Sequence, residues 1–419
     1  MTGGAWSAER AERHLLSLEL FGMRFGLDRM RRLMTALGSP EREFRSIHVV
    51  GTNGKSSTAR MTAAILARHG LRTGAYLSPH LVSFAERVRI GERDLEPAAL
   101  GAAVQRAARA AALVDRKLPE PERVTQFETL TAAAFSELAA RGVEVAVVEA
   151  GLGGRYDATN VLPSDVQVLT NVGLEHTRWL GPTIRDIAGE KLDVVRQGST
   201  LVVGELHPDA AAVARAVAAE RGALVVQATP GAAPARLAAR GAFQQANWAL
   251  ARAAAEAFLG ELDTQAVDAA GASVTIPGRC EIVARDPLTI LDGAHNPDGA
   301  RALAAALPEL AGDRPVVGVI SILDDKDAAG MLPALMACCA SVVFTSNRNP
   351  RALPPATLQS LAGQVVADAP PSQLEPDPRR AMQVAREVAG RGGVVVAAGS
   401  IYLVADLVRP LAQRRASIL

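Results

Sequence analysis

A glycine-rich turn at 51–56, with the sequence GTNGKS, carries the clearest chemistry in the chain. An apolar run at 47–50 precedes it, and a helix-like stretch at 57–69 follows it. In such a turn the glycines let backbone N–H groups close on phosphate oxygens, the lysine reaches the β- and γ-phosphates, and the serine hydroxyl binds Mg²⁺. The pattern predicts a nucleotide-phosphate site, formed by Gly51, Thr52, Asn53, Gly54, Lys55, Ser56 and Ser57.

Two glycine-rich segments of the chain differ from standard nucleotide-binding motifs. The generic phosphate loop requires glycine where this chain has Val49, so 51–56 is a shorter variant of that loop. The segment 151–156, GLGGRY, would need glycine at Tyr156 to form a dinucleotide fingerprint. A nicotinamide-dependent oxidoreductase is therefore disfavoured.

Glu149 ends a strand-like apolar run at 143–148, and His176 and Lys191 follow it along the chain. Ligands bind in open α/β sheets at the carboxyl ends of the strands. A buried carboxylate there is costly unless it pairs with a cation or ligates a metal. Glu149 alone fits a structural ion pair equally well. Beside a phosphate loop, however, oxygen ligands and substrate phosphates favour Mg²⁺.

Lysine is rare in this chain, since only four of the 45 basic residues are lysine. These are Lys55, Lys117, Lys191 and Lys326. A compact ammonium and a planar guanidinium are not interchangeable. The positions that keep lysine are therefore candidates for chemistry that arginine cannot do.

The elements that must position these residues alternate between short apolar runs and longer amphipathic stretches. The strand-like runs are 47–50, 73–77, 143–149, 166–170, 200–203, 288–291, 316–320, 342–345 and 394–397. Strands that alternate with helices of this length form parallel sheets covered on both faces. The sequence predicts an α/β fold, with a hinge near Pro277 and Pro287 between a larger N-terminal and a smaller C-terminal domain.

Composition excludes several classes of protein. With 419 residues, 49% hydrophobic and 21% charged, the chain suits two globular domains and neither a disordered nor a fibrous protein. A formal net charge of +1 provides no basic field for nucleic acid. The N-terminus is charged at 9–13, unlike a signal peptide, and glycine, proline and serine interrupt the longest uncharged stretch, 328–347. The three cysteines have no metal-binding spacing, so we expect a cytoplasmic protein that contacts no membrane.

The GTNGKS loop resembles the ATP loop of the Mur-ligase-like ATP-dependent amide ligases. The rest of the chain resembles one branch of them, the dihydrofolate synthase/folylpolyglutamate synthase family. The matching segments are YLSPHL at 76–81, ER at 86–87, TQFETLT at 125–131, EAGLGGRYDATN at 149–160 and LDGAHNP at 291–297. The resemblance extends from about residue 10 to about residue 410, and the motifs keep the family's order.

This resemblance implies a domain organisation and a set of site residues. Residues 1–282 would form an ATP- and pterin-binding central domain with a phosphate-loop ATPase-like parallel sheet, and 287–419 a smaller Rossmann-like domain on the glutamate side. The implied metal ligands, for two Mg²⁺ ions, are Ser56, Ser78, Glu149 and His176. The implied pterin contacts are Leu27, Thr125, Phe127 and Asp157. The further ATP contacts are Asn247, Arg279 and Asp292.

The resemblance also assigns catalytic roles to Lys55, Lys191, His295 and Ser400. Lys191 would be carboxylated by CO₂, a reaction that needs a neutral amine and that arginine cannot undergo. Simpler interpretations remain open for several positions. Phe127 fits ordinary packing on a helix, Lys191 fits an ion pair with Glu190 or Asp193, and His295 fits a structural histidine. The charged segment 324–327 fits a solvated turn.

The function implied is ATP-dependent ligation of L-glutamate to the carboxylate of dihydropteroate, of folates, or of both, through an acyl phosphate. We expect a monomer whose partners are these small molecules. Two alternatives stay open at this stage. One is an amide ligase of the same architecture for a different carboxylate and amino acid. The other is a non-catalytic nucleotide-binding module, which would not need Phe127, Asp157 or His295.

Overall fold

The computed structural model describes residues 4–19, 26–229 and 234–410, which fall into two compact units. The first unit comprises Met1–Arg236 and Ala246–Val274, and the second comprises Leu237–Gln245 and Thr275–Leu419. The hinge segment predicted around Pro277 and Pro287 thus lies within the second unit, a few residues past the division.

An eight-stranded sheet forms the centre of the first unit, with the strand order β4-β3-β2-β5-β1-β6-β7-β8. Its strands are β1 Arg45–Val50, β2 Thr73–Tyr76, β3 Val88–Ile90, β4 Arg93–Asp94, β5 Val145–Glu149, β6 Val166–Leu169, β7 Thr200–Val203 and β8 Leu224–Gln227. All neighbours run parallel except at one edge, where β3 pairs antiparallel with β2 and β4. Apart from β3, β4 and the exposed edge strand β8, the strands are almost entirely buried, as expected for a parallel sheet.

Helices flank this sheet. They are α1 Ala8–Ser17, α2 Asp28–Ala36, α3 Lys55–Arg68, α4 Pro97–Asp115, α5 Gln126–Ala140, α6 Thr177–Leu180, α7 Ile184–Leu192, α8 Pro208–Arg221, α9 Ala242–Leu259 and α10 Thr264–Ser273. The first four residues of α9 belong to the second unit. Helix α3 ends where Gly70 takes a φ of +86°, the left-handed conformation that terminates helices.

The strand registers bring one set of loops together. β1 lies between β5 and β6, with Val49 opposite Glu149 and Val50 opposite Leu169. β2 lies beyond β5, with Tyr76 opposite Val148. The loops after β1, β2, β5 and β6 therefore emerge side by side at the carboxyl edge of the sheet, where α/β proteins bind ligands.

The second unit contains a six-stranded sheet with the order β13-β12-β11-β14-β10-β9, parallel except for β9. Its strands are β9 Glu281–Arg285, β10 Leu288–Leu291, β11 Val316–Ile320, β12 Ser341–Phe344, β13 Ser372–Leu374 and β14 Val394–Ala398. Its own helices are α11 Pro297–Ala311, α12 Ala328–Met336, α13 Pro355–Val365, α14 Pro378–Ala389 and α15 Ile401–Val408. Met331, Leu332 and Phe344 are fully buried in a separate hydrophobic core.

The predicted α/β architecture, with a larger N-terminal parallel sheet and a smaller C-terminal sheet, is confirmed. Each predicted strand-like run corresponds to a strand, with bounds that differ by at most two residues. The strands not predicted are β3, β4, β8, β9 and β13, which lie at or next to sheet edges. Within the described ranges, no helix combines the length and the apolarity that crossing a membrane requires.

Candidate active site

The turn after β1 has the backbone that its glycines predict. Gly51 has a φ of +149°, and a Cβ built on it would lie 1.9 Å from Thr170 Oγ1. Gly54 has a φ of +82°, and a Cβ there would lie 2.2 Å from Asn247 Oδ1. Only glycine fits either position. The turn leads directly into α3, so its backbone lies at a helix N-terminus, where anions bind.

Residues after β6 hold this turn in place. The Asn53 N–H donates to Asn171 Oδ1 at 2.9 Å, and Thr170 Oγ1 donates to the Asn53 carbonyl at 2.6 Å. The Gly173 N–H donates to Thr52 Oγ1 at 3.0 Å. No motif in the sequence indicates a role for Thr170, Asn171 or Gly173. Their position after a strand that pairs with β1 is the signal that could have identified them.

Lys55 and Lys191 meet at one backbone carbonyl. Lys55 Nζ donates to the carbonyls of Gly51 and Thr52, both at 3.1 Å. Lys191 Nζ, near the end of α7, donates to the same Gly51 oxygen at 2.8 Å. The structure thus places together the two lysines to which the sequence analysis assigned chemistry.

Lys191 is buried, with 4% of its surface exposed. Burial and, to a smaller extent, the charge of Lys55 lower the pKa of Lys191 to about 7, against the opposite effect of Glu175 and Asp157. The structure does not show the ion pair of Lys191 with Glu190 or Asp193 that the sequence also allowed. Glu190 and Asp193 instead lie 3.0 Å and 3.6 Å from the Arg155 guanidinium.

Glu149 lies at the end of β5 with 2% of its surface exposed. Its Oε1 accepts from Ser56 Oγ at 2.9 Å, and its Oε2 accepts from the Ser78 N–H at 2.9 Å. Ser56 Oγ also lies 3.3 Å from the Ser78 carbonyl. Three of the four residues predicted to bind metal therefore lie together beside the phosphate loop, Ser78 through its backbone N–H and carbonyl. The Glu149 carboxylate, the Ser56 hydroxyl and the Ser78 carbonyl are hard oxygen atoms, which suit Mg²⁺.

His176 is the fourth predicted ligand and occupies the N-terminus of α6 with a φ of +53°. Its Nε2 lies 3.6 Å from Glu175 Oε1, and 38% of its side chain is exposed. In the described part of the chain, no group of three or more histidine, cysteine or acidic side chains forms a metal cluster. A cation here would rely on Glu149, hydroxyl groups and substrate phosphates, as Mg²⁺ sites commonly do.

Phe127 and Asp157 lie against the same glycine. A Cβ built on Gly151 would lie 2.6 Å from Phe127 Cζ and 3.1 Å from Asp157 Oδ2. Phe127 is only partly buried on α5, whereas Leu130 on that helix is completely buried. The Tyr76 ring lies behind Phe127, at 6.2 Å between centroids. Phe127 is therefore not completely buried in the core, and its ring edge and the Asp157 carboxylate lie together against Gly151, forming the Phe127–Asp157 surface.

Asp157 is held by its own loop. Its Oδ1 accepts from the N–H and the Oγ1 of Thr159, and its Oδ2 accepts from the Leu152 N–H at 2.8 Å. It caps a 3₁₀ turn, Ala158–Val161. Burial raises the pKa of Asp157, and these hydrogen bonds oppose that rise. Its carboxylate thus combines a capping role with a fixed orientation.

Thr125 and Leu27 begin helices. Thr125 Oγ1 accepts from the Glu128 N–H at 3.2 Å, and Glu128 Oε2 accepts from the Thr125 N–H at 2.9 Å. This reciprocal pair is a capping box at the start of α5. Leu27 is buried immediately before α2. The structure therefore gives Thr125 a structural role that the spacing Thr-x-x-Glu could have predicted.

In the second unit, Asp292 follows β10 and Ser400 follows β14, and these strands are parallel neighbours. Asp292 accepts from the N–H groups of Cys280 and Ala294, at 2.8 Å and 2.7 Å. Burial raises the pKa of Asp292, whereas Arg279 lowers it. A Cβ on Gly293 would lie 2.1 Å from the Arg279 guanidinium. Arg279 and Asp292 therefore lie at one strand end.

His295 and Ser400 also have local structural partners. His295 Nδ1 lies 2.9 Å from the Gly293 carbonyl, and Ser400 Oγ accepts from the Tyr402 N–H at 3.1 Å as the cap of α15. In the charged segment 324–327, Asp325 pairs with Arg351 at 3.1 Å and Asp327 caps α12. The segment 324–327 therefore makes an ion pair and caps a helix, which a simple solvated turn would not do.

Comparison with known proteins identifies related domains and chains. Residues 49–226 match the Mur ligase middle domain, and residues 278–401 match the Mur ligase glutamate ligase domain. The dihydrofolate synthase/folylpolyglutamate synthase of Mycobacterium tuberculosis is 38% identical over 81% of this chain and 77% of its own length. The protein of the same name from Bacillus subtilis is 31% identical over 92% of this chain and 95% of its own.

The chain belongs to the dihydrofolate synthase/folylpolyglutamate synthase family.

Solved structures of dihydrofolate synthase/folylpolyglutamate synthase family proteins have the same fold. Mycobacterium tuberculosis folylpolyglutamate synthase, complexed with ADP and AMPPCP, superposes with a TM-score of 0.88 at 35% identity, covering 95% of this chain and 97% of that one. An Escherichia coli structure in complex with DHPP and ADP gives a TM-score of 0.84 at 29% identity, covering 95% and 96%. The individual site assignments in this family member stay predictions.

Proposed function

We propose that the protein joins L-glutamate to the carboxylate of dihydropteroate, of folates, or of both, at the expense of ATP. The observation that carries this proposal is the arrangement in the first unit. The phosphate loop, the Ser56–Glu149 oxygen cluster and the Phe127–Asp157 surface all lie at the carboxyl ends of neighbouring strands. Relatives bearing both the bifunctional and the folylpolyglutamate synthase names support the two substrate classes.

The reaction has two steps. A carboxylate oxygen of the pterin substrate attacks the γ-phosphorus of ATP, the bond to ADP breaks, and an acyl phosphate forms. The amine of glutamate then attacks the acyl carbon, loses a proton, and displaces inorganic phosphate as the amide forms. Mg²⁺, when bound, neutralises charge on the transferred phosphoryl group.

Side chains of the first unit support the phosphoryl transfer. Lys55 lies within reach of the loop that would hold the phosphates, and its ammonium stabilises the negative charge that develops there. Ser56 and Glu149 would hold the cation. The Phe127 ring would support a flat heterocycle, and Asp157 would accept hydrogen bonds from its amino and ring N–H donors.

Lys191 is proposed to carry a carboxylate added by CO₂. The neutral amine attacks the carbon of CO₂ and releases one proton, which leaves a negatively charged carbamate. The pKa of Lys191, lowered to about 7 by burial, makes a large fraction of the amine neutral near neutral pH. The proximity of Lys191 to Lys55 at Gly51 would place the new negative charge beside an ammonium.

The function is tested by phosphate release from ATP in the presence of dihydropteroate and glutamate. We expect turnover to need all three substrates and Lys55→Ala to reduce it by at least about a hundredfold, since one transition-state contact contributes about 2.7–4 kcal/mol. Lys117→Ala is the matched control, because Lys117 is exposed and lies at the end of α4, far along the chain from the loop.

Mass spectrometry of the products from dihydropteroate and from tetrahydrofolate would assign the substrate class. Addition of one glutamate to dihydropteroate identifies a dihydrofolate synthase, and addition to tetrahydrofolate identifies a folylpolyglutamate synthase. Phosphate release that responds only to some other carboxylate or amino acid would overturn the proposal, as would unchanged turnover in Lys55→Ala.

A further inference from the structure

His48 is a polar residue in strand β1, inside the sheet of the first unit. It lies in the middle of β1, and its side chain has no solvent exposure. Its Nε2 lies 2.8 Å from Thr159 Oγ1. Its Nδ1 has no hydrogen-bond partner in the part of the chain that the structure describes. A buried polar group is costly unless it is hydrogen-bonded, so the single bond of His48 to Thr159 needs an explanation.

The partner of His48 is the residue that holds Asp157. Thr159 Oγ1 lies 2.5 Å from Asp157 Oδ1, and the Thr159 N–H donates to the same oxygen at 3.0 Å. The Leu152 N–H donates to the other oxygen, Oδ2. Both carboxylate oxygens therefore act as acceptors, as in an ionised aspartate.

These contacts fix the direction of the hydrogen-bond chain. The Thr159 hydroxyl has one hydrogen, and that hydrogen is given to Asp157. Thr159 Oγ1 must then accept from His48, so the proton of the imidazole is on Nε2 and Nδ1 is bare. Nδ1 is the ring nitrogen that lacks a partner in the described part of the chain. Because this tautomer puts no hydrogen on Nδ1, it leaves no buried N–H of the ring unpaired. Burial and, to a smaller extent, the charge of Arg196 lower the pKa of His48 to about 3, so the ring stays neutral.

Arg196 fixes the other side of the same turn. Its guanidinium donates to the Asn160 carbonyl and to Asn160 Oδ1, at 2.6 Å and 2.7 Å, and to the Leu162 carbonyl at 3.0 Å. The backbone of the turn is therefore anchored without His48. The contribution left for His48 is the orientation of the Thr159 hydroxyl, and through it the orientation of the Asp157 carboxylate.

The geometry points to His48 as a positioning residue that, through Thr159, orients the Asp157 carboxylate for the hydrogen-bond donors of the pterin substrate. This inference rests on the proposed function for the identity of the ligand. It assigns roles to two residues, one in β1 and one in the 149–160 motif, that do not themselves contact the ligand.

Four variants of the full-length protein test this inference. His48→Leu removes the donor, and Thr159→Val removes the hydroxyl. His48→Gln and Thr159→Ser keep a donor and a hydroxyl, respectively. We expect each of the first two to raise the Kd for dihydropteroate by about tenfold, the size of one hydrogen bond to a charged group. The two conservative variants should restore affinity, and none should change the Kd for ATP.

Gln167→Leu is the matched control. Gln167 is the register partner of His48 in β6 and is equally buried. It bonds to Ser164 and Ser199 at 2.6–2.9 Å, not to the Asp157 loop. Its loss should lower stability without changing the Kd for dihydropteroate. An equal change in Kd for His48→Leu and Gln167→Leu would overturn the inference, because general destabilisation would then explain both.

Two further measurements keep the inference decidable. If His48→Leu does not fold, the comparison of Thr159→Val with Thr159→Ser decides it, and equal affinities refute it. If the protein without any substitution binds no dihydropteroate, the proposed function fails. Crystal structures of the variants then decide the positioning role: a rotated or doubled Asp157 carboxylate supports it, and an unchanged carboxylate refutes it.

Discussion

At the scale of single residues, the site depends on how two lysines share a carbonyl oxygen. Lys55 and Lys191 both donate to Gly51 O, at 3.1 Å and 2.8 Å. Two ammonium groups so close together repel each other, and water does not screen them because Lys191 is buried. A neutral amine at Lys191 removes this repulsion, so the charge of Lys55 lowers the pKa of Lys191 in the same direction as its desolvation by burial.

We expect the carboxylation of Lys191 to depend on pH. The pKa of Lys191 is lowered to about 7, so the amine is mostly protonated and unreactive near pH 6 and mostly neutral near pH 8. In bicarbonate buffer, native mass spectrometry should detect an added mass of about 44 Da. The fraction of the protein that carries it should increase from pH 6 to pH 8.

Lys191→Arg is the control for that measurement. It keeps a long cationic side chain but cannot form the carbamate, so it should show no bicarbonate-dependent mass and should lose ligase turnover. The same added mass in Lys191→Arg would place the modification elsewhere. If the protein that keeps Lys191 showed no added mass at any pH, Lys191 would be a plain amine, neutral or charged. That result would refute its carboxylation.

At the scale of elements, the proposed pterin site depends on how α5 begins. The box formed by Thr125 and Glu128 caps the helix that carries Phe127. Glu128 also accepts from Arg29 Nε at 3.1 Å, which ties α2 to α5. Phe127 therefore takes its position from a cap and a buried ion pair.

We expect Thr125→Ala to lower the free energy of unfolding by about 1 kcal/mol, because it removes the side-chain acceptor of the cap. Urea denaturation of the full chain measures this effect, and Thr125→Ser, which keeps the hydroxyl, is the matched control. If the two variants were equally stable, the cap would contribute nothing measurable, and the role of Thr125 would have to come from a ligand alone.

Local patterns predicted much of this architecture. The phosphate loop, α3 and the central strands follow from short-range signals: glycine with positive φ, a lysine at a helix start, and apolar runs of four to six residues. The cap at Thr125 had an equally local signal. The short strands β3 and β4 did not, because charged residues interrupt them. Strand β8 has an apolar run at 224–226 that was not assigned to a strand.

Contacts between distant segments could not be predicted from sequence. Lys191 meets Gly51 across 140 residues, and His48 meets Thr159 across 111. Both contacts depend on the strand order, in which β1 lies between β5 and β6. The resemblance to the family could assign a role to Lys191, but no spacing in the sequence indicates which oxygen its amine bonds, or that His48 faces the 157–160 turn.

At the scale of the whole molecule, the chain has two units that each contain a sheet and a hydrophobic core. The second core gathers around Met331, Leu332 and Phe344. The first unit holds the phosphate loop, so a ligand of that loop stabilises the unit that binds it. A chain of this kind need not unfold in a single step.

We expect a non-hydrolysable ATP analogue with Mg²⁺ to stabilise the first unit. At a free concentration of about 100 times its Kd, mass action gives about 2.7 kcal/mol. Differential scanning calorimetry should show the corresponding transition at a higher temperature. Lys55→Ala should show a smaller shift at the same concentration. A shift of the same size in both proteins would mean that the analogue binds away from the loop.

Lys55 already donates to two backbone carbonyls, and these bonds use two of its three N–H donors. A nucleotide phosphate that takes more than one hydrogen bond from the ammonium must therefore replace Gly51 O or Thr52 O as its partner, and each such bond to a charged group contributes about 1.5–3 kcal/mol. The measured affinity is then the difference between two well-bonded arrangements, so a modest affinity is compatible with a strong lysine–phosphate contact. The same exchange favours product release, because the lysine regains its carbonyl partners as the nucleotide leaves.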